Sequence, residues 1–112
     1  TSDLIVIGAD AADMAAAVNR IRATGGGTVA VSGGRVIAEL PQPVFGVISE
    51  LPMEKIIKGN RELKKAAETL GIEFPDPVLS LMTLTGAAIP FLRICEQGLV
   101  DLKTGETVSL FV

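Results

Sequence analysis

The stretch Thr28–Leu40 constrains the fold most, because Gly33-Gly34 lies at its centre. A two-residue hairpin loop needs positive φ at both central positions, and glycine takes them without a Cβ clash. Branched and small residues flank the pair, so the stretch is predicted to be a β-hairpin. With that loop, Ser32 faces Arg35, Val31 faces Val36, Ala30 faces Ile37 and Val29 faces Ala38. Val29, Val31, Val36, Ala38 and Leu40 then share one face, and Thr28, Ser32, Arg35 and Glu39 share the other. Pro41-Gln42-Pro43 ends the hairpin, since proline has no N–H for a ladder.

Around this hairpin the pattern alternates between sheet and helix. Leu4-Ile5-Val6-Ile7 is an apolar run suited to a buried strand. Asp10 caps a helix whose apolar positions Met14, Ala17, Val18 and Ile21 follow the helical period, with Asp13 in a weak capping box. Gly25-Gly26-Gly27 stops that helix. Val44–Ile48 is a short extended piece behind Ser49 and Glu50. A second helix begins near Pro52 and runs to about Leu70, with Ile56, Leu63, Ala66, Ala67 and Leu70 inward. Gly59 weakens it by about 1 kcal/mol relative to alanine. Asp76 caps a third, apolar helix from Pro77 to about Thr85, ended by Gly86 and Pro90. Leu92–Cys95, Leu99–Leu102 and Glu106–Val112 read as strands, with turns at Gln97-Gly98 and Thr104-Gly105. The expectation is one α+β domain over residues 1–112. Its single mixed, largely antiparallel sheet has five or six strands, flanked by two or three helices, with a right-handed crossover from Leu4–Ile7 into the hairpin.

Composition narrows the function. The chain has 112 residues, a net charge of −3, 48% hydrophobic and 21% charged residues, and a mean hydropathy of +0.48. Such a chain buries a core instead of staying disordered. Its scattered cations offer no nucleic-acid footprint. No stretch is long and apolar enough for a bilayer span, and Thr1-Ser2-Asp3 carries no basic targeting region. A chain opening on Thr1 is expected to be an excised or processed piece. The single cysteine, Cys95, forms no intrachain disulfide. There is no histidine, so a Ser-His-Asp or Cys-His site and most zinc sites cannot be built from these residues.

The remaining candidates favour structural roles. Gly8-Ala9-Asp10 lies where a dinucleotide would bind, but the glycine fingerprint is missing and Asp10 would repel a pyrophosphate. Gly25-Gly26-Gly27 lacks the lysine and hydroxyl of a phosphate loop. The carboxylates Asp10, Asp13, Glu50, Asp76 and Asp101 have no metal-binding spacing. Cys95 has no histidine to activate it and reads as a buried thiol. Ser49 and Glu50 read first as a capping pair, and second as a contact with a ligand or partner domain. Pro77–Leu84 is apolar almost all round, which points either to a covered interface or to burial in the domain's own core.

In combination, these segments resemble the C-terminal domain of bacterial and archaeal adenine deaminases. The resemblance rests on Asp13-Met14-Ala15, Ala17-Val18-Asn19-Arg20 and Gly25-Gly26-Gly27. It continues through the hairpin, Leu40-Pro41 with Pro43, Gly46, and Ser49 with Pro52. It ends with Pro75-Asp76-Pro77, Ile89-Pro90 with Leu92, and Gly98-Leu99-Val100-Asp101. It departs at Ala11-Ala12, where acidic residues are common, and at Gly86-Ala87-Ala88. Thr104–Val112 has no matched counterpart. The resemblance implies a parent enzyme of the amidohydrolase superfamily that hydrolyses adenine to hypoxanthine and ammonia in the cytoplasm. An upstream barrel domain would hold manganese or iron to activate water. This chain would then contain no cofactor and be inactive alone. It would pack on the barrel and support a homo-oligomer, and Ser49 and Glu50 would approach the parent's active site. Neither nucleic acid nor membrane is implied as a partner. The alternative is a free-standing, non-catalytic binding or assembly module derived from that domain. A third reading is a small enzyme using carboxylates or Cys95.

Overall fold

A computed structural model of the chain describes residues 3–84, 91–95 and 98–109. The described elements are α1 (Ala11–Thr24), β1 (Gly27–Ser32), β2 (Arg35–Pro41), α2 (Met53–Thr69), α3 (Pro77–Leu84), β3 (Leu92–Cys95), β4 (Gly98–Asp101) and β5 (Glu106–Val108). The α+β class holds, with three helices and antiparallel strands.

The expected single sheet is instead two small ones, β1-β2 and β3-β4-β5. Each is built from strands close in sequence, so neither needs the other to close its ladder. The segment Leu4–Ile7 belongs to neither sheet and is substantially exposed, so the predicted buried strand and its crossover are absent. Several expectations fall outside the described residues: Thr85, the helix stop at Gly86 and Pro90, Gln97 of the turn before β4, and Leu110–Val112 of the last strand. The side chains of Ile94 and Cys95 also lie outside them.

Local signals are obeyed. Asp10 caps α1, its Oδ1 accepting the Asp13 N–H at 2.8 Å. Gly25 ends α1 in the left-handed region at φ 76, and its N–H donates to the Ile21 carbonyl. Gly33 and Gly34 adopt φ 58 and 73, as the tight turn requires. Asp76 Oδ1 accepts the Leu79 N–H at 3.0 Å and opens α3. Pro52 precedes α2 without a side-chain cap.

The hairpin register departs from expectation after its first two pairs. Ser32 faces Arg35 and Val31 faces Val36, but Ala30 then faces Ala38, Val29 faces Glu39 and Thr28 faces Leu40. Ile37 is the extra residue of a β-bulge between Ala30 and Val31. The physical reason is that helices cover both faces. Ala38 and Leu40 meet Leu63 and Ala66 of α2 in the core, joined by Ala30, Leu51, Ile56 and Val78. On the opposite face, Glu39 pairs with Arg20 of α1. A strand pair covered on both faces has no single polar side, so alternation alone does not set its register.

Gly59 has a role beyond weakening α2. It is buried, and a Cβ there would lie 3.1 Å from Leu40 Cδ1. Its bare backbone lets α2 approach β2 closely.

Candidate functional site

The two residues expected to meet a ligand or partner domain lie just before α2. Ser49 is half-buried, and its Oγ accepts the Leu51 N–H at 3.3 Å, so it makes a local turn and does not cap the helix. Glu50 is exposed. The turn that leads to them is built with more structure than the sequence reading assigned it. Gln42 is 6% exposed. Its Nε2 donates to the Val47 carbonyl at 2.8 Å, and its Oε1 accepts from Thr28 Oγ1 at 3.1 Å. Its main-chain N–H donates to the Gly26 carbonyl at 3.1 Å. A buried amide satisfied in this way fixes the backbone around it. Val44 and Ile48 close the turn as an isolated bridge. Between them Phe45 has φ 55 and is 80% exposed. Sequence reasoning found neither role, because nothing local marks Gln42 as buried or Phe45 as left-handed.

A cavity of about 720 Å³ opens beside this turn. The segment before α1, the inner face of α1, β1, and parts of α2 and α3 surround it. Val6, Met14, Val18, Val29, Val31 and Leu81 are among its apolar lining, and Phe45 stands at its rim. Expected inward positions of α1 therefore face this cavity, and no residue of that helix is fully buried.

Several charged groups are committed to structure. Asp13, expected to take part in a capping box, instead accepts the N–H groups of Gly33 and Gly34 at 2.9 and 2.6 Å. It thereby ties α1 to the hairpin turn. Arg20 makes a two-pronged contact with Glu39, at 2.7 and 2.8 Å. The hydrogen bond and charge of Glu39 raise the Arg20 pKa. The hydrogen bond from Arg20 outweighs partial burial and holds the Glu39 carboxyl below its ordinary range. Arg93 is buried and donates to Asp3 Oδ2 at 3.2 Å, which ties β3 to the start of the chain, and its Nε has no partner among the described residues. Asp101 Oδ1 accepts the Lys103 N–H at 2.8 Å in a local turn.

Among the described residues, no group of three or more His, Cys, Asp or Glu side chains comes together to hold a metal ion. Pro77 of α3 is buried and Val78, Leu81 and Met82 are half-buried, whereas Leu79 and Leu84 remain exposed. The apolar helix is thus partly covered by its own domain. Among the described residues, no helix is long and apolar enough to cross a membrane.

Residues 1–106 match the family described as the adenine deaminase C-terminal domain. The chain is 46% identical over 100 residues to an adenine deaminase of Methylobacterium nodulans, covering 89% of this chain and 18% of that protein. It is 41% identical over 110 residues to one of Kosmotoga olearia, covering 98% of this chain and 19% of the relative. It is 39% identical over 109 residues to one of Oleidesulfovibrio alaskensis, covering 97% and 19% respectively. The chain therefore spans about a fifth of the length of the curated relatives it matches. With its ordered helices, hairpin and C-terminal meander, the chain belongs to the adenine deaminase C-terminal domain family.

Proposed function

We propose that this domain is the C-terminal accessory part of an adenine deaminase whose complete polypeptide hydrolyses adenine to hypoxanthine and ammonia. The family match over residues 1–106 carries this reading. The commitment of Asp3, Asp10, Asp13, Glu39 and Asp76 to caps, turns and ion pairs supports assigning the chemistry to another part of the polypeptide. On this reading a preceding barrel domain holds manganese or iron and activates the attacking water. The present domain is non-catalytic and holds no cofactor. It packs on that barrel and supports a homo-oligomer in the cytoplasm, using either Pro77–Leu84 or the sheet face. Ser49 and Glu50 lie behind a rigid turn, and from there they help close the substrate pocket.

Adenine turnover tests the reading. The complete polypeptide should release ammonia from adenine, and the 112-residue chain should release none above a metal-only control. Turnover by the short chain would overturn the assignment. Ser49→Ala and Glu50→Gln in the complete polypeptide should raise KM or lower kcat without unfolding it. Unchanged kinetics would remove the pocket role.

A further inference from the structure

A glutamine only 6% exposed needs a reason, because an apolar side chain of that size would fill the same space with no amide to satisfy. The hydrogen bonds of Gln42 supply one. Its Nε2 donates to the Val47 carbonyl, and its Oε1 accepts from Thr28 Oγ1. The Thr28 hydroxyl on β1 thereby selects the amide rotation that aims Nε2 at the turn. The main-chain N–H of Gln42 is fixed on Gly26, just past the end of α1. Gln42 thus refers the turn to β1 and to the end of α1.

The turn needs such a hold. The Val44 carbonyl accepts the N–H groups of Val47 and Ile48 at 3.2 and 3.0 Å, and the Val44 N–H donates to Ile48 at 3.3 Å. These bonds close the loop on itself but do not orient it against the rest of the domain. Phe45 within it has φ 55, a conformation that a residue with a Cβ keeps only where its surroundings over-determine it. Among the described residues, the Gln42 amide is the side chain that joins this closed loop to β1 by hydrogen bonds.

Ser49 and Glu50 follow the loop directly. On their other side Leu51 packs against the core, and its N–H donates to Ser49 Oγ at 3.3 Å. The two residues therefore span a short gap between two fixed points, the loop held by Gln42 and the side chain of Leu51. The Glu50 carboxylate is exposed and makes no hydrogen bond or ion pair with the described residues. Its position is set by the backbone alone, so releasing the loop moves it without disturbing any contact of its own.

We propose that Gln42, oriented by Thr28, is the positioning residue for Ser49 and Glu50 at the edge of the substrate pocket. This rests on the reading that those two residues help close that pocket. Gln42 touches no substrate and acts only through the turn.

The test is steady-state adenine turnover by the complete polypeptide. Gln42→Met keeps the length of the side chain and removes both polar ends. It should lower kcat/KM about tenfold, with the same split between KM and kcat as Glu50→Gln. Adding Gln42→Met to the Ser49→Ala, Glu50→Gln double variant should cost nothing further, because the residues it positions have already lost their contacts. A merely structural role would give losses that multiply. Thr28→Val should reproduce part of the loss, and Thr28→Ser, which keeps the hydroxyl, should match wild type. Hydrogen exchange of the peptide spanning Val44–Glu50 should quicken in Gln42→Met while that of α2 stays as in wild type. Wild-type kcat/KM in Gln42→Met would overturn the proposal, as would a loss that multiplies with that of the double variant. If Gln42→Met does not fold, unchanged turnover in Thr28→Val would overturn it equally. A silent Ser49→Ala, Glu50→Gln double variant would remove the pocket reading itself. A silent Gln42→Met beside an impaired double variant would remove the positioning role alone.

Discussion

The two faces of the β1-β2 hairpin are packed very differently. On the α2 face, Leu40 and Leu63 are each 3% exposed, and Ala38 and Ala66 complete a closed cluster. On the α1 face, Val29 and Val31 look across a cavity toward Met14 and Val18. There α1 is held at its ends by polar contacts: Asp13 on the turn, Arg20 on Glu39, and the Gly25–Gly27 cap. One face is held by apolar burial and the other by hydrogen bonds around a void. The first face has the packing of a finished domain core, and the second leaves a void between helix and strand.

Substitutions can test that contrast, each followed by far-UV circular dichroism during urea unfolding because the chain has no Trp or Tyr. The largest effect is expected at Gly27, where the two faces share a backbone junction. Its φ is 132, and an added Cβ would meet the Leu40 carbonyl and lie 2.9 Å from the Gln42 nitrogen. Gly27→Ala should destabilise by more than about 3 kcal/mol, because both obstacles are main chain. Stability within 1 kcal/mol of wild type would show that the junction can rearrange.

Next come paired core deletions. Leu40→Ala should cost about 3 kcal/mol, the usual loss for emptying a packed site. Val18→Ala should cost about 0.5 kcal/mol, since it removes methyl groups that already border a void. Equal losses would contradict the contrast between the faces.

Asp13→Ala removes the acceptor from two turn N–H groups and should cost about 1 kcal/mol. It should also speed amide exchange at Gly33 and Gly34 while leaving Leu63 unchanged. Slow exchange retained at the turn would place the attachment of α1 elsewhere.

The smallest effect concerns pH. The folded-state pKa of Glu39 lies below its ordinary range because Arg20 donates to it. Its stabilisation is therefore complete above the unfolded-state pKa and is lost as pH falls through the lower folded value. Wild type and Glu39→Gln should differ slightly at neutral pH and converge in acid. The pair is partly exposed, so salt should shrink the difference. A gap that widens in acid would reverse the assigned sign.

Much of this was legible in the residues. The spans of α1, α2 and α3, the caps Asp10 and Asp76, and the Gly33-Gly34 turn follow from signals within a few positions of each other. The candidate site was legible only in outline. Ser49 and Glu50 stand out as residues before a helix, yet Gln42 and Phe45, which shape the turn beside them, carry no local mark. The role of Gln42 depends on Thr28 and Gly26, which lie far away along the chain.

The sequence by itself determined helices, caps and turns, because each minimises its energy through neighbours a few residues apart. Tertiary structure decided the bulge at Ile37, the pairing of Asp13 with the turn, the division into two sheets and the unpaired state of Leu4–Ile7. Those outcomes depend on which distant surfaces compete to cover a face. Periodicity records that a residue is apolar, but not which surface will bury it.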